Sequence, residues 1–165
     1  VAAAEAIERA LGRRVGIKWP NDIVVDGRKL AGVLIEVRGA RALVGIGVNC
    51  TQLRFDGELE SRATSLAMLG APADRLAVLV DLVSALDRAL TARDDELVES
   101  FLARDALRGT RALFATPHGP VEGEVRSVDP MRGLVVRTAS GEHFLPAQST
   151  SVAEWAVHRA ARAPR

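Results

Sequence analysis

Proline at position 20 restricts this chain more than any other single residue. Its ring fixes its own φ and biases Trp19 toward an extended backbone, while Asn21 and Asp22 carry side chains that readily cap turns. The run Ile17-Lys18-Trp19-Pro20-Asn21-Asp22 therefore predicts a tight corner between two strands. After it, Ile23-Val24-Val25 reads as a short strand and Asp26-Gly27 as a hairpin reversal. Lys29 is carried back into a strand over 30–37, a second reversal falls near Gly39-Ala40-Arg41, and 42–49 is a further strand rich in β-branched residues. The predicted unit is a small antiparallel meander in which Asn21, Lys29 and Asn49 are able to converge.

Glycine weakens a strand, so Gly32, Gly45 and Gly47 require a reason to be there, and close approach of a ligand or of another backbone is the usual one. Gly45 and Gly47 share a face because alternate strand residues do. Alone, Gly45-Ile46-Gly47-Val48-Asn49 reads as a bulge or close sheet packing. Beside the corner and Lys29, it reads as a bare strip for a flat or extended ligand.

Elsewhere the patterns are structural. Residues 1–11 read as a helix stopped by Gly12, opening with neither an initiator methionine nor an N-cap, as a chain beginning inside an element would. The charged stretch 51–62 lacks a period, and a short helical stretch is expected from Ala63 to about Gly70. Asp74 is suited to cap a helix in which Leu76, Leu79, Val80, Val83, Leu86 and Leu90 recur at helical spacing as a core-facing stripe. A further helix is predicted over 94–107, with Leu97, Phe101 and Leu102 inward and Gly109 as its stop. Then the period changes: 111–115, 121–128, 134–138 and 143–146 read as short strands, and 154–165 as a frayed basic end.

Lys-Trp-Pro-Asn-Asp at 18–22, Lys-Leu-Ala-Gly-x-Leu-x-Glu at 29–36 and Gly-x-Gly-x-Asn at 45–49 together resemble the biotin protein ligases, which biotinylate carboxyl-carrier domains. The order of the remaining elements matches the family over almost the whole chain. The resemblance implies an α+β fold: a partial catalytic domain of the class II aminoacyl-tRNA synthetase and biotin ligase type over 1–108, mostly antiparallel sheet with helices. An SH3-like barrel over 109–157 and a tail over 158–165 would follow it.

By the same resemblance, Lys29 matches the catalytic lysine, which contacts the biotin carboxylate and the α-phosphate. A fixed ammonium there stabilises charge that builds up as carboxylate attacks phosphorus. Asn21 and Asn49 match polar residues near the adenylate and its metal, and Gly32 and Gly47 match positions whose backbone meets the biotinyl group. Ala31 and Gly45 are supporting candidates. Asp22 is placed either with Asn49 in Mg²⁺ coordination or in ordering the corner, while Trp19 and Glu36 read as packing and strand-edge residues.

The implied reaction joins biotin and ATP into biotinyl-5′-adenylate, then passes biotin to a lysine of a biotin carboxyl carrier protein. No enzyme nucleophile is needed, in keeping with the confinement of His118, His143 and His158 to the tail and with a single cysteine, Cys50, read as a small buried hydrophobe. The family's Gly-Arg-rich ligand loop and, in some relatives, a DNA-binding domain lie upstream of the first helix here, so activity is expected of the complete protein. From 147 to 152 the tail lacks the acid and arginine that relatives place near their last strand. Two alternatives are a relative of lipoate protein ligase and a non-catalytic remnant that binds carrier protein.

Composition sets outer bounds. With 165 residues, 48% of them hydrophobic, the chain is able to bury one core or a core plus a small module. A net charge of +1 offers no broad field for nucleic acid or an anionic membrane. No apolar run approaches a membrane span, no leader pattern is present and one cysteine forms no internal disulfide, so the expected setting is cytoplasmic.

Overall fold

The computed structural model describes residues 1–155. The chain divides into two compact units, Val1–Asp105 and a second beginning at Ala106.

The first unit opens with α1 (Ala2–Leu11), ended by Gly12, whose φ of 69° and N–H bond to the Glu8 carbonyl form a left-handed cap. Four antiparallel strands follow in consecutive order: β1 (Gly16–Lys18), β2 (Asp22–Val25), β3 (Arg28–Arg38) and β4 (Arg41–Val48). The expected corner joins β1 to β2. Its Trp19–Pro20 bond is cis, and Trp19 is 1% exposed, so the indole anchors the turn in the core. The next reversal has positive φ at both Asp26 (49°) and Gly27 (76°), the conformation that makes Asp-Gly a hairpin pair.

After β4 the chain forms α2 (Leu59–Arg62), a single 3₁₀ turn (Ala67–Leu69), α3 (Arg75–Thr91) and α4 (Asp94–Leu102). The helix expected from Ala63 starts later, because this segment first lies against β3: Ala63 bridges Lys29, and the Thr64 amide donates to the Lys29 carbonyl at 2.9 Å. Asp74 caps α3 as expected, accepting from the Leu76 and Ala77 amides. Of the stripe predicted to face the core, only Leu86 packs on it. Leu76, Leu79, Val80, Val83 and Leu90 are exposed, and Val78, Leu82 and Ala85 are buried instead.

The helix is apolar on both sides, and α1 selects between them. Ala2 and Ala6 pack against Leu82 and Ala85, small residues that let the two helices come close, with Ile46 and Val48 of β4 on the same cluster. Arg9–Asp81 and Arg88–Glu5 pairs flank this contact. In α4, Phe101 is buried but Leu102 is exposed, and the helix stops at Leu102 rather than 107. Past its end, Arg104 folds back to the Ser100 carbonyl and hydroxyl.

Arg104 also fastens the unit together. Its guanidinium donates to both Glu8 oxygens at 3.1 and 2.8 Å, Glu8 accepts the Val15 amide, and the Arg104 carbonyl accepts the Ile17 amide at 2.7 Å. Helix α1, the approach to β1 and the end of α4 are thus joined at one buried ion pair.

The second unit is an antiparallel sheet in the order β8-β7-β6-β5-β9, built from β5 (Arg111–Thr116), β6 (Gly119–Asp129), β7 (Gly133–Thr138), β8 (Gly141–Pro146) and β9 (Ser151–Trp155). Phe114, Val125, Leu134 and Val136 form its buried interior. The expected SH3-like barrel is corrected here: among the described residues the sheet does not close, and β8 and β9 are its two edges. Glu154 and Trp155 are not frayed either. They pair with Leu113 and Ala112, and the indole N–H donates to Thr110 Oγ1 at 3.1 Å. Ser151-Val152-Ala153-Glu154-Trp155 escaped recognition because an edge strand buries too little to show alternation. His158 and the rest of the expected tail lie outside the described residues.

Burial pushes the Glu8 carboxyl up, but hydrogen bonds from Arg104 and Val15 and the charges of Arg104 and Arg14 outweigh it, leaving it below the ordinary value. A carboxylate with a depressed folded pKa contributes stability above its unfolded pKa and loses it as pH falls through the folded value. Glu8→Gln leaves a buried guanidinium without its counter-charge and is expected to cost about 3 kcal/mol in urea unfolding at neutral pH. The gap between variant and parent should narrow on acidification; a gap independent of pH would remove the assigned role.

Candidate active site

The site lies where three strands run side by side. In register, Asp22 of β2 pairs with Gly32 of β3, and Gly32 pairs on its other side with Gly47 of β4. This row holds one carboxylate followed by two residues without side chains.

Lys29 reaches the row through an irregularity in pairing. Ile23 opposes Ala31 but Val24 opposes Lys29, so Leu30 is an extra residue on β3. In an unbroken strand, residues three apart face opposite sides. The bulge changes that phase, and a Cβ built on Gly32 would lie 3.1 Å from both Cε and Nζ of Lys29. Leu30, fully buried, anchors the irregularity.

The Lys29 ammonium lies 2.5 Å from Asp22 Oδ1 and is half exposed. Asp22 Oδ2 faces a second ammonium, that of Lys18, at 3.5 Å. Lys18 was not anticipated, although its position was legible: a three-residue antiparallel corner sets Lys18 opposite Asp22. The two glycines now have different explanations. Gly32 clears room for the lysine stem, whereas a side chain at Gly47 would meet nothing within 4 Å. Packing therefore does not require Gly47, which fits a strip kept open for a ligand. A Cβ at Gly45 would make only ordinary contacts with Leu34.

The two asparagines bind backbone. Asn21 Nδ2 donates to the Val33 carbonyl at 2.7 Å, and the Asn21 carbonyl accepts the Val33 amide, fastening the corner to β3. Asn49 Nδ2 donates to the carbonyls of Thr64 (3.0 Å) and Lys29 (3.4 Å), holding the start of β3 against the segment after the loop. The structure thus brings Asp22, Lys18, Lys29 and Gly32 together, with Gly47 beside them. Asn49 meets Lys29 at its backbone, and Asn21 lies at Val33. Ala31 is buried between Ile23 and Val48. Cys50 is also buried, and burial raises its thiol pKa, as befits an inert small hydrophobe.

The donor set does not suit a resident metal. Among the described residues no three or more His, Cys, Asp or Glu side chains gather to hold one. The local carboxylate, Asp22, turns both oxygens to ammonium groups, and Mg²⁺ sites draw on carboxylates and substrate phosphates.

A fold with such a lysine on a glycine-bare sheet has counterparts. The sequence model of the biotin/lipoate A/B protein ligase family matches residues 1–52. A biotin--[acetyl-CoA-carboxylase] ligase of Paracoccus denitrificans is 30% identical over 164 residues, covering 88% of this chain and 68% of that protein. The bifunctional ligase/repressor BirA of Bacillus spizizenii is 30% identical over 86% of this chain and 47% of its own. The biotin protein ligase of Aquifex aeolicus superposes with a TM-score of 0.81 at 24% identity, over 92% of this chain and 70% of that one. The chain belongs to the biotin protein ligase family. It spans about half the length of the Bacillus relative.

Two substitutions separate the glycine roles. Gly47→Ala enters open space and should leave the thermal midpoint unchanged or slightly raised, yet weaken binding of an adenylate analogue about tenfold or more. Gly32→Ala should also fold, since its neighbour is the mobile end of a lysine, but displace the ammonium by a few tenths of an ångström and slow turnover about tenfold. Unchanged ligand affinity in Gly47→Ala would assign that glycine to the sheet alone.

Proposed function

We propose that this chain carries the acyl-adenylate portion of a biotin protein ligase, with Lys29 as the catalytic cation. The complete protein would join biotin and ATP into biotinyl-5′-adenylate and pyrophosphate, then transfer the biotinyl group to a lysine of a biotin carboxyl carrier protein. In the first step a biotin carboxylate oxygen forms a bond to the α-phosphorus as the bond to pyrophosphate breaks. In the second, the acceptor amine attacks the mixed anhydride carbonyl and AMP leaves.

One observation carries the reading: an ammonium tethered at 2.5 Å by a carboxylate, beside a glycine strip with open space above Gly47. An ammonium has three donors. One directed at Asp22 fixes its position and leaves two for anionic oxygens of the acyl phosphate, where charge develops in the transition state. The glycines let a flat ligand lie against the sheet, and the Asn49 and Asn21 clamps hold the strand ends that frame it. Mg²⁺ is read as part of the nucleotide substrate, borne by ATP phosphates rather than by carboxylates of this chain.

Relatives support the choice of biotin and of carrier protein. The curated relatives from Paracoccus and Mycobacterium tuberculosis are named biotin--[acetyl-CoA-carboxylase] ligases, and the Aquifex ligase has been solved with biotin and ATP. An ATP-dependent reaction on a carboxylase subunit is what supports reading the setting as cytoplasmic. No helix among the described residues is long and apolar enough to cross a membrane.

The test uses the complete protein that carries this sequence. Pyrophosphate release should require both biotin and ATP, and lipoate should not replace biotin. Lys29→Ala should keep the parent's thermal midpoint and slow adenylate formation at least about a hundredfold, the scale for losing one preorganised electrostatic contact. Release driven by lipoate would move the protein to the other branch of the family, and an undiminished rate in Lys29→Ala would refute the role given to that residue.

A further inference from the structure

We infer that Lys18 is a positioning residue whose charge keeps the tethered Lys29–Asp22 pair attractive to anions. The inference rests on the ligase reading and names a further working part of the same site. The tether that fixes Lys29 has an electrostatic cost: an ammonium bound to a carboxylate forms a neutral pair, with little net field to offer a phosphate or an acyl oxyanion. Asp22 is only 17% exposed, so water does little to screen it from Lys29.

Lys18 removes the difficulty. Its ammonium lies 3.5 Å from the second Asp22 oxygen and is 21% exposed, against 51% for Lys29. The cluster of two ammoniums and one carboxylate carries net charge +1. The more exposed cation, Lys29, faces outward and meets the ligand, while the enclosed one offsets the carboxylate from behind. Geometry and charge are thereby supplied separately: Asp22 sets where the Lys29 ammonium sits, and Lys18 restores the field that this attachment would cancel. The register of β1 on β2, Lys18 opposite Asp22, holds the arrangement.

Steady-state adenylate formation by the complete protein, followed as pyrophosphate release from biotin and ATP, distinguishes this from a structural lysine. Lys18→Met should lower kcat/KM for ATP about tenfold, the scale for removing one partly screened charge a few ångströms from the reacting anion. Lys18→Gln, polar and uncharged, should lose as much, and Lys18→Arg should recover most of it. Adding Asp22→Asn to Lys18→Met removes the negative charge left in excess and should restore part of the loss. Activity within twofold of the parent in both Lys18→Met and Lys18→Gln would overturn the inference. So would an Asp22→Asn, Lys18→Met double variant slower than Lys18→Met. A parent protein that releases no pyrophosphate would instead sink the ligase reading on which it rests.

Discussion

The first unit depends on a single buried ion pair. Glu8 and Arg104 stand at opposite ends of it in sequence, and their pairing, with the Val15 and Ile17 amides attached on either side, ties α1 and the end of α4 to the start of β1. A guanidinium this enclosed needs a counter-charge beside it, so its carboxylate partner is obligatory. The corner at Trp19-Pro20-Asn21 is the next stretch of chain after β1, and the site row begins one residue later at Asp22. The position of Lys29 therefore follows from a chain path that this contact helps to set.

Local chemistry was legible in the sequence and long-range choice was not. The corner, the Asp26-Gly27 reversal, the Asp74 cap and the Gly12 stop rest on backbone preferences of single residues, and they stand where expected. The inward face of α3 could not be read this way. Both sides of the helix are apolar, and the selection was made by Ala2 and Ala6, far away in the chain. Strand β9 was missed for a related reason, since an edge strand carries little of the alternation that marks a buried one. The closed barrel expected of the tail came from family likeness rather than from its residues, and an open sheet stands in its place.

At the site, residue types were legible and their partners were not. The prominence of Lys29 follows from its setting between the corner and the glycines, yet nothing local shows that Asp22 is its neighbour. That pairing needs the register between β2 and β3, irregularity included. The asparagines look from sequence like ligand-binding amides, and the structure finds both nitrogens engaged with backbone carbonyls. Such clamps are how a sheet edge keeps its frame when glycine has removed the side chains that would otherwise stiffen it.

The surplus residue Leu30 has a consequence for how this surface could ever change. Side chains in a strand alternate, so which side a residue serves is a matter of odd or even count from the pairing that anchors it. Loss of Leu30 would remove the irregularity and leave Lys29 two residues from Gly32 in a regular strand, where the two still share a face. Length in this short stretch is thus tied to the pairing: a residue gained or lost there keeps the cation on the Gly32 side of the sheet only where the irregularity comes or goes with it.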